Sequence, residues 1–398
     1  MTTAGVEKSR ESREAQREGA MASPSDPENS SANIYIPDEW VNAVDSVAND
    51  STPSPPPIAL VCGPKNSGKT TFSRYLLNVL LSRYRKVAYL DTDVGQSEFT
   101  TPGFLSLTVV DALTPDLAVP CMKRPERCFF FGDTSSKRDP TQYLKCIFAL
   151  YDYYQKEYCM CDKRESPGRT ELPLVVNTTG WVKGVGYDLL VEILNYIGPT
   201  HVVKIKISAE SKNLPAGTFW LGDNTEGEVK LIEINSARQD SFNRSVLVQK
   251  DAHLLRDLRI MAYFRQSLPC NSNITTIKEL ANALAAHPPY EVPISSVKIR
   301  HLYCTVPSSE VLYSLNATIV GLAVSSQGSE SMPWCIGLGI VRGVDTLKGL
   351  LYVLTPVPSS ILKNVDLLLQ GFIQIPTCLL QVQGCTSPYM SANVLPGS

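Results

Sequence analysis

Gly63-Pro64-Lys65-Asn66-Ser67-Gly68-Lys69-Thr70 sets two glycines, a lysine and a hydroxyl at the spacing that grips a polyphosphate. The glycines let successive backbone N–H groups converge on phosphate oxygens. Lys69 neutralises charge on the β and γ phosphates, and Thr70, followed by Thr71, offers its hydroxyl to Mg²⁺. Lys65 either adds to phosphate binding or stays solvated in the loop. The chemistry this spacing predicts is that of a nucleoside triphosphate.

Two further clusters stand where strands should end. Val87-Ala88-Tyr89-Leu90 runs into Asp91-Thr92-Asp93-Val94-Gly95-Gln96. A carboxylate at a strand end beside a phosphate loop can hold Mg²⁺ through water or accept the proton of an attacking hydroxyl, and two carboxylates allow both roles. Strand alternation predicts Asp91 and Asp93 on one face and Thr92 on the other, and leaves open which is the base. Leu172–Val176 leads to Asn177-Thr178-Thr179-Gly180-Trp181, where the glycine lets backbone approach a ligand. The Trp181 indole either stacks on a base or begins the core of the next helix.

The elements that must position these groups follow from periodicity. Ile58–Cys62 is an unbroken apolar strand, and Phe72, Tyr75, Leu76, Val79 and Leu80 recur at helical spacing after the loop. Runs at 87–90, 172–176 and 202–207 alternate with helices, one capped by Asp139-Pro140 and reaching about Tyr158, another stopping at Gly198-Pro199. This predicts an α/β P-loop NTPase core with a mostly parallel, helix-covered sheet over residues 58–290, including a charged helix at 251–268. Gly217–Asn235 reads as a loop and hairpin. Beyond His287-Pro288-Pro289, short β-rich runs at 297–306, 317–325, 335–341, 350–354 and 372–375 predict a small β domain over 291–398, loose at its end. Residues 1–31 read as a disordered tail, and 32–57 as a short helix with a Pro-rich connector.

Composition excludes several classes. The 398 residues carry a net charge of -2 and a pI of about 6.2, so nucleic-acid contact must come from a local patch, such as Lys123-Arg124, Lys137-Arg138 or Lys204 with Lys206. Each of these pairs reads equally as a solvated face. No apolar run is long enough to span a bilayer, and the charged N-terminal stretch lacks a signal-peptide core, which predicts an intracellular protein. The eleven cysteines and four histidines show no zinc-site spacing.

Asp91-Thr92-Asp93-Val94-Gly95-Gln96-Ser97-Glu98-Phe99-Thr100-x-Pro102-Gly103, Thr178-x-Gly180-Trp181 and Gly132-Asp133-Thr134-Ser135 with Asp139-Pro140-x-x-Tyr143 together resemble the polynucleotide 5′-hydroxyl kinase family. The wording from Asp91 to Thr100 is similar to its nucleolar, pre-ribosomal-RNA-processing branch. The resemblance extends over about 34–385 and includes Gly337-x-Gly339-Ile340-Val341-Arg342-Gly343 and Leu354-Thr355-Pro356-Val357-Pro358. It implies transfer of the ATP γ-phosphate to an RNA 5′-hydroxyl, with ATP and Mg²⁺ as cofactors, an endoribonuclease partner and a nuclear, nucleolar location. It further implies that Thr178, Gly180 and Trp181, with Gln96, contact RNA, and that Arg256 and Arg259 belong to a lid over the phosphates.

Two departures stand out. Ala252-His253-Leu254-Leu255 replaces a stretch where relatives often carry another lid arginine, and the segment before Ile58 is short where relatives carry a domain that helps hold adenine. An ATP-binding assembly subunit of an endonuclease complex is therefore the second reading. A GTPase ranks third, since no Asn-Lys-x-Asp segment occurs.

Overall fold

The β1 strand (Ile58–Cys62) shows why the core is built in layers, because its side chains alternate between two apolar clusters. Ala59 and Val61 face Trp40, Val44, Phe72 and Leu76; Leu60 and Cys62 face Ile147, Leu150, Leu190 and Ile193. Helices α1 (Asp38–Ala48) and α2 (Lys69–Leu81) thus cover one face, and α3 (Pro140–Tyr154) and α4 (Val185–Ile197) the other. The computed structural model describes residues 35–49, 55–114, 116–117, 121–159, 171–221, 229–237, 251–269, 272–325 and 332–380, all within one compact unit. The tail expected at 1–31 and residues 51–54 of the connector lie outside them.

The first sheet also contains β2 (Val87–Asp91), β3 (Phe104–Val110), β4 (Arg127–Phe130), β5 (Leu174–Asn177), β6 (His201–Lys206) and β7 (Lys230–Asn235). Their order is β4-β3-β2-β5-β1-β6-β7. From β2 to β7 every neighbour pair is parallel, while β3 and β4 extend the β2 edge in antiparallel fashion. The hairpin expected before Asn235 is instead β7 laid parallel to β6. At the helix ends the local signals hold: the Asp139 carboxylate accepts from Gln142 N at 2.9 Å, and Gly198 closes α4 at φ 56°.

Helices α5 (Ala252–Arg265) and α6 (Ile277–Ala286) lead into a second sheet. Its strands are β8 (Tyr290–Pro293), β9 (Lys298–His301), β10 (Thr318–Val324), β11 (Trp334–Asp345), β12 (Leu350–Leu354) and β13 (Leu367–Gln370), ordered β8-β12-β11-β10-β13-β9. The strand expected at 372–375 does not form; the pairing strand is β13, and Phe372 N donates instead to Gly132 O at 2.6 Å. The two sheets share an apolar core in which Phe104, Cys128 and Phe130 meet Ile319, Leu338, Ile340 and Leu367, together with Ile260 and Phe264 of α5. Among the described residues no helix is long and apolar enough to cross a membrane.

Candidate active site

The phosphate loop joins the C-terminal end of β1 to the first turn of α2, so its backbone N–H groups and the positive end of the helix share one opening. Gly63 and Gly68 hold φ values of 150° and 97°, and Asn66 holds 62°. This is the left-handed backbone that curls a loop around an anion. Trp40 closes the loop from behind: a Cβ at Gly68 would lie 2.9 Å from its ring, and its indole N–H donates to Asn235 O at 2.8 Å. Lys65 and Asn66 are exposed, Thr70 and Thr71 half-buried, and Pro64 and Ser67 buried.

Lys69 is buried and its Nζ donates to Pro64 O at 2.8 Å, folded back onto the loop. Burial pulls the ammonium down to about 8, partly opposed by the nearby Asp93 charge. The buried Ser67 hydroxyl finds no hydrogen-bond partner. A polyphosphate fits these features, since it would give Lys69 an anionic partner and lie over the curled N–H groups.

The carboxylates differ sharply. The β2 strand ends at Asp91, so the alternation expected to pair it with Asp93 stops there. Asp91 is buried; its Oδ2 accepts from Glu98 N at 2.6 Å, and its Oδ1 from Asp93 N at 3.2 Å and Asn177 Nδ2 at 3.1 Å. Burial pushes its carboxyl up to about 7 against the pull of the Glu98 N–H, with the Asp93 charge adding to the rise. Asp93 is half-exposed and uses Oδ1 to accept from Gly95 N at 2.9 Å and Gln96 N at 3.0 Å. Asp91 therefore organises the turn, whereas Asp93 and Gln96 stand at its rim. Among the described residues no three His, Cys, Asp or Glu side chains converge as a metal cage. A hard cation held by one carboxylate, Thr70 and nucleotide phosphates needs no such cage.

The Thr178–Trp181 segment lies directly on the phosphate loop. A Cβ at Gly180 would come within 2.5 Å of Lys65 Cα and 2.7 Å of its N, so only glycine permits the approach. Thr178 is buried and spends its hydroxyl on Val61 O at 2.8 Å, bracing the segment against β1. Trp181 is half-buried with Lys137 Nζ 3.8 Å from its ring centroid. Of the arginines on α5, Arg259 turns to Glu98, bonding the Glu98 carbonyl and reaching Oε2 at 3.3 Å; Glu98 also pairs with the buried Arg74 at 3.0 Å. Arg256 lies one turn earlier, half-buried. The structure thus brings the phosphate loop, Asp91, Asp93, Gln96 and the Thr178–Trp181 segment together, and ties Arg259 to the turn after Asp93.

Lys204 leaves the list of phosphate-tracking cations. It is buried, pairs with Glu233 and donates to Pro215 O at 2.7 Å, and Lys206 shares the same carboxylate. Periodicity missed Glu98, Arg74 and Asn177. Asn177, at the end of an apolar strand, and Glu98, inside the Asp91–Thr100 wording, carried a local signal, whereas Arg74 carried none.

Comparison with known proteins places this arrangement. The family described as mRNA cleavage and polyadenylation factor CLP1 P-loop matches residues 63–266, and the NOL9-like, C-terminal domain matches 285–376. The Arabidopsis thaliana polynucleotide 5′-hydroxyl-kinase NOL9 is 62% identical over 363 residues, covering 91% of this chain and 97% of that protein. The chain belongs to the NOL9 polynucleotide 5′-hydroxyl-kinase family. The human NOL9 protein is 31% identical over 86% of this chain, which spans only 53% of the human length. A Cryptococcus neoformans relative named polynucleotide 5′-hydroxyl-kinase GRC3 is 28% identical over 85% of the chain. Among solved structures, one titled for the interface between Pcf11p and Clp1p has a TM-score of 0.59 at 15% identity, covering 85% of this chain and 79% of that one, a likeness of fold.

Proposed function

We propose that the protein transfers the γ-phosphate of ATP to the 5′-hydroxyl of RNA, acting with Mg²⁺ in ribosomal RNA processing. The observation that carries this reading is the contact of Gly180 with Lys65, which seats the segment expected to hold the acceptor directly on the loop that holds the donor. Phosphoryl transfer asks mainly for positioning and charge neutralisation, and two adjoining binding elements supply the first.

Residue roles follow from exposure and bonding. The phosphate-loop N–H groups and Lys69 hold the triphosphate. Asp93 receives the proton of the attacking hydroxyl, since its half-exposed carboxylate spends only Oδ1 on the backbone, whereas Asp91 is buried under three donors. Thr70 would hold Mg²⁺ together with the nucleotide phosphates and water, with Asp91 ordering the turn that carries Asp93, and the ion would supply neutralisation of the phosphate oxygens. Gln96 and Trp181 face the acceptor. Arg256 would act on the phosphates from α5, and Arg259 fixes that helix to Glu98.

A second reading, an ATP-binding assembly subunit for an endoribonuclease with slight turnover, draws support from the engagement of Arg259 with Glu98, which withdraws one expected lid cation. A nucleolar site of action accords with the names of the relatives. The test is transfer of radiolabel from each of the four nucleoside triphosphates to 5′-hydroxyl RNA and DNA oligonucleotides. Wild type should label RNA from ATP, and Lys69→Ala and Asp93→Asn should lose at least a hundredfold in kcat with the fold retained. Normal labelling by Lys69→Ala ends the kinase reading. Co-purification with an endoribonuclease but no transfer by wild type selects the assembly reading.

A further inference from the structure

We propose that a layered stack of Arg138, Phe372 and Tyr303 is a second base-binding position, which holds a nucleotide downstream of the phosphorylated end and makes the enzyme prefer longer single-stranded RNA. This rests on the RNA-kinase reading above and extends it to a part of the surface outside the phosphate loop and its acceptor clasp.

The short turn Ser136–Arg138 presents two adjacent cations that diverge to two aromatic rings. Lys137 Nζ lies 3.8 Å from the centroid of Trp181, and Arg138 Cζ lies 4.8 Å from that of Phe372. One turn therefore links the acceptor clasp of the first sheet to an aromatic group carried by the second. Phe372 is 48% exposed, and its ring stacks on Tyr303 at 5.6 Å with a 13° interplanar angle. The Tyr303 hydroxyl donates to Phe131 O, so the bottom of the stack is anchored to the end of β4.

The stack is pre-ordered at its top as well. Arg138 Nε donates to the buried Asp133 carboxylate at 2.9 Å, which fixes the guanidinium plane while 52% of the side chain remains exposed. Asp133 also accepts from Ser135 N at 2.8 Å, and Asp139 is spent capping α3, so the acids of this segment point inward and its cations outward. The segment adjoins the catalytic turn, since a Cβ at Gly95 would lie 2.9 Å from Thr134 O, and the backbone bond from Phe372 N to Gly132 O holds the second sheet to the same spot.

A guanidinium held by Asp133 and set over an aromatic ring is a surface on which an unpaired base stacks, and its charge suits the adjoining phosphate. Trp181 and the Arg138 stack would then take bases from different nucleotides of one strand, with Lys137 between them.

The experiment compares kcat/KM for 5′-hydroxyl RNA trimers and dodecamers in the full chain. Wild type should favour the dodecamer. Phe372→Leu and Arg138→Gln should shrink that preference roughly tenfold, through KM, a loss on the scale of one stacked base. An unchanged length preference in both variants overturns the proposal, even where thermal stability falls. If wild type phosphorylates neither RNA, the kinase reading fails by itself. Fluorescence anisotropy with a labelled dodecamer then decides the second position: weaker binding by both variants upholds it, and equal binding removes it.

Discussion

Lys69 is the buried cation of the phosphate loop, and a bound triphosphate would change its surroundings directly. Burial brings its ammonium from an ordinary 10.5 down to about 8, with a carbonyl as its hydrogen-bond partner. Between those two values the unfolded chain keeps a proton that the folded chain has released, so this group makes the nucleotide-free protein gain stability as pH rises from about 8. Triphosphate charge should reverse the shift. Binding of Mg²⁺-free ATP at pH 8 should take up roughly half a proton at Lys69, measured by titration calorimetry in buffers of different ionisation heat. Lys69→Met should abolish that uptake, and equal uptake in the variant would assign the proton elsewhere. Gly180 is constrained by space alone. Gly180→Ala sets a methyl 2.5 Å from Lys65 Cα, so the Thr178–Trp181 segment must lift from the phosphate loop. KM for both ATP and RNA should rise, and kcat/KM should fall on the order of a hundredfold, the scale of a misplacement near 1 Å. Unchanged kinetics in steady state would show that the Thr178–Trp181 segment and the phosphate loop act independently.

At the scale of elements, the parts proposed to carry chemistry are legible as strand ends and a loop because each is a local sequence event. The glycine spacing of residues 63–70, the apolar run ending at Asp91 and the run ending at Asn177 each mark a strand meeting a loop. The antiparallel extension was not, since Phe104–Val110 and Arg127–Phe130 pair across a long connection with no short turn to mark a hairpin. Arg259 and Glu98 are 161 residues apart, beyond the reach of any periodicity, and α1 showed an apolar side without showing that Trp40 would back Gly68. The Arg74–Glu98–Arg259 group couples α5 to the turn that bears Asp93. Burial raises the Glu98 carboxyl although both arginines, Arg259 foremost, oppose the rise. Glu98→Ala takes the carboxylate from two guanidinium groups, one of them almost wholly buried, and should cost about 3–5 kcal/mol in denaturant unfolding. Arg259→Met keeps the Arg74 pair and should lower kcat more than stability, because only the tether to α5 is lost. A variant with wild-type kcat would separate α5 from catalysis.

On the scale of the whole molecule, the second sheet is part of the scaffold of the first. Phe104 and Phe130 project from β3 and β4 into the core formed by β10, β11, β13 and α5, and β4 runs straight into the Gly132–Asp133 turn, which adjoins the turn at Asp93–Gln96. A sheet edge buried on a neighbouring sheet cannot melt alone without exposing that apolar surface to water. Heat unfolding should therefore be a single transition whose calorimetric and van't Hoff enthalpies agree. Gly321 supplies a specific probe, since it lies in β10 and a Cβ there would meet Phe130 Cδ1 at 2.6 Å. Gly321→Val should push the two sheets apart, and Phe130→Ala should leave a cavity costing about 3–5 kcal/mol. Both substitutions should lower the one transition as a unit and raise KM for RNA, because the Asp133–Arg138 segment follows β4. Chain ended after Ala286 should lose solubility, exposing Phe104, Phe130 and Phe264. Two separate transitions, with Gly321→Val shifting only one, would instead make the second sheet an appended module and confine β4 to the first.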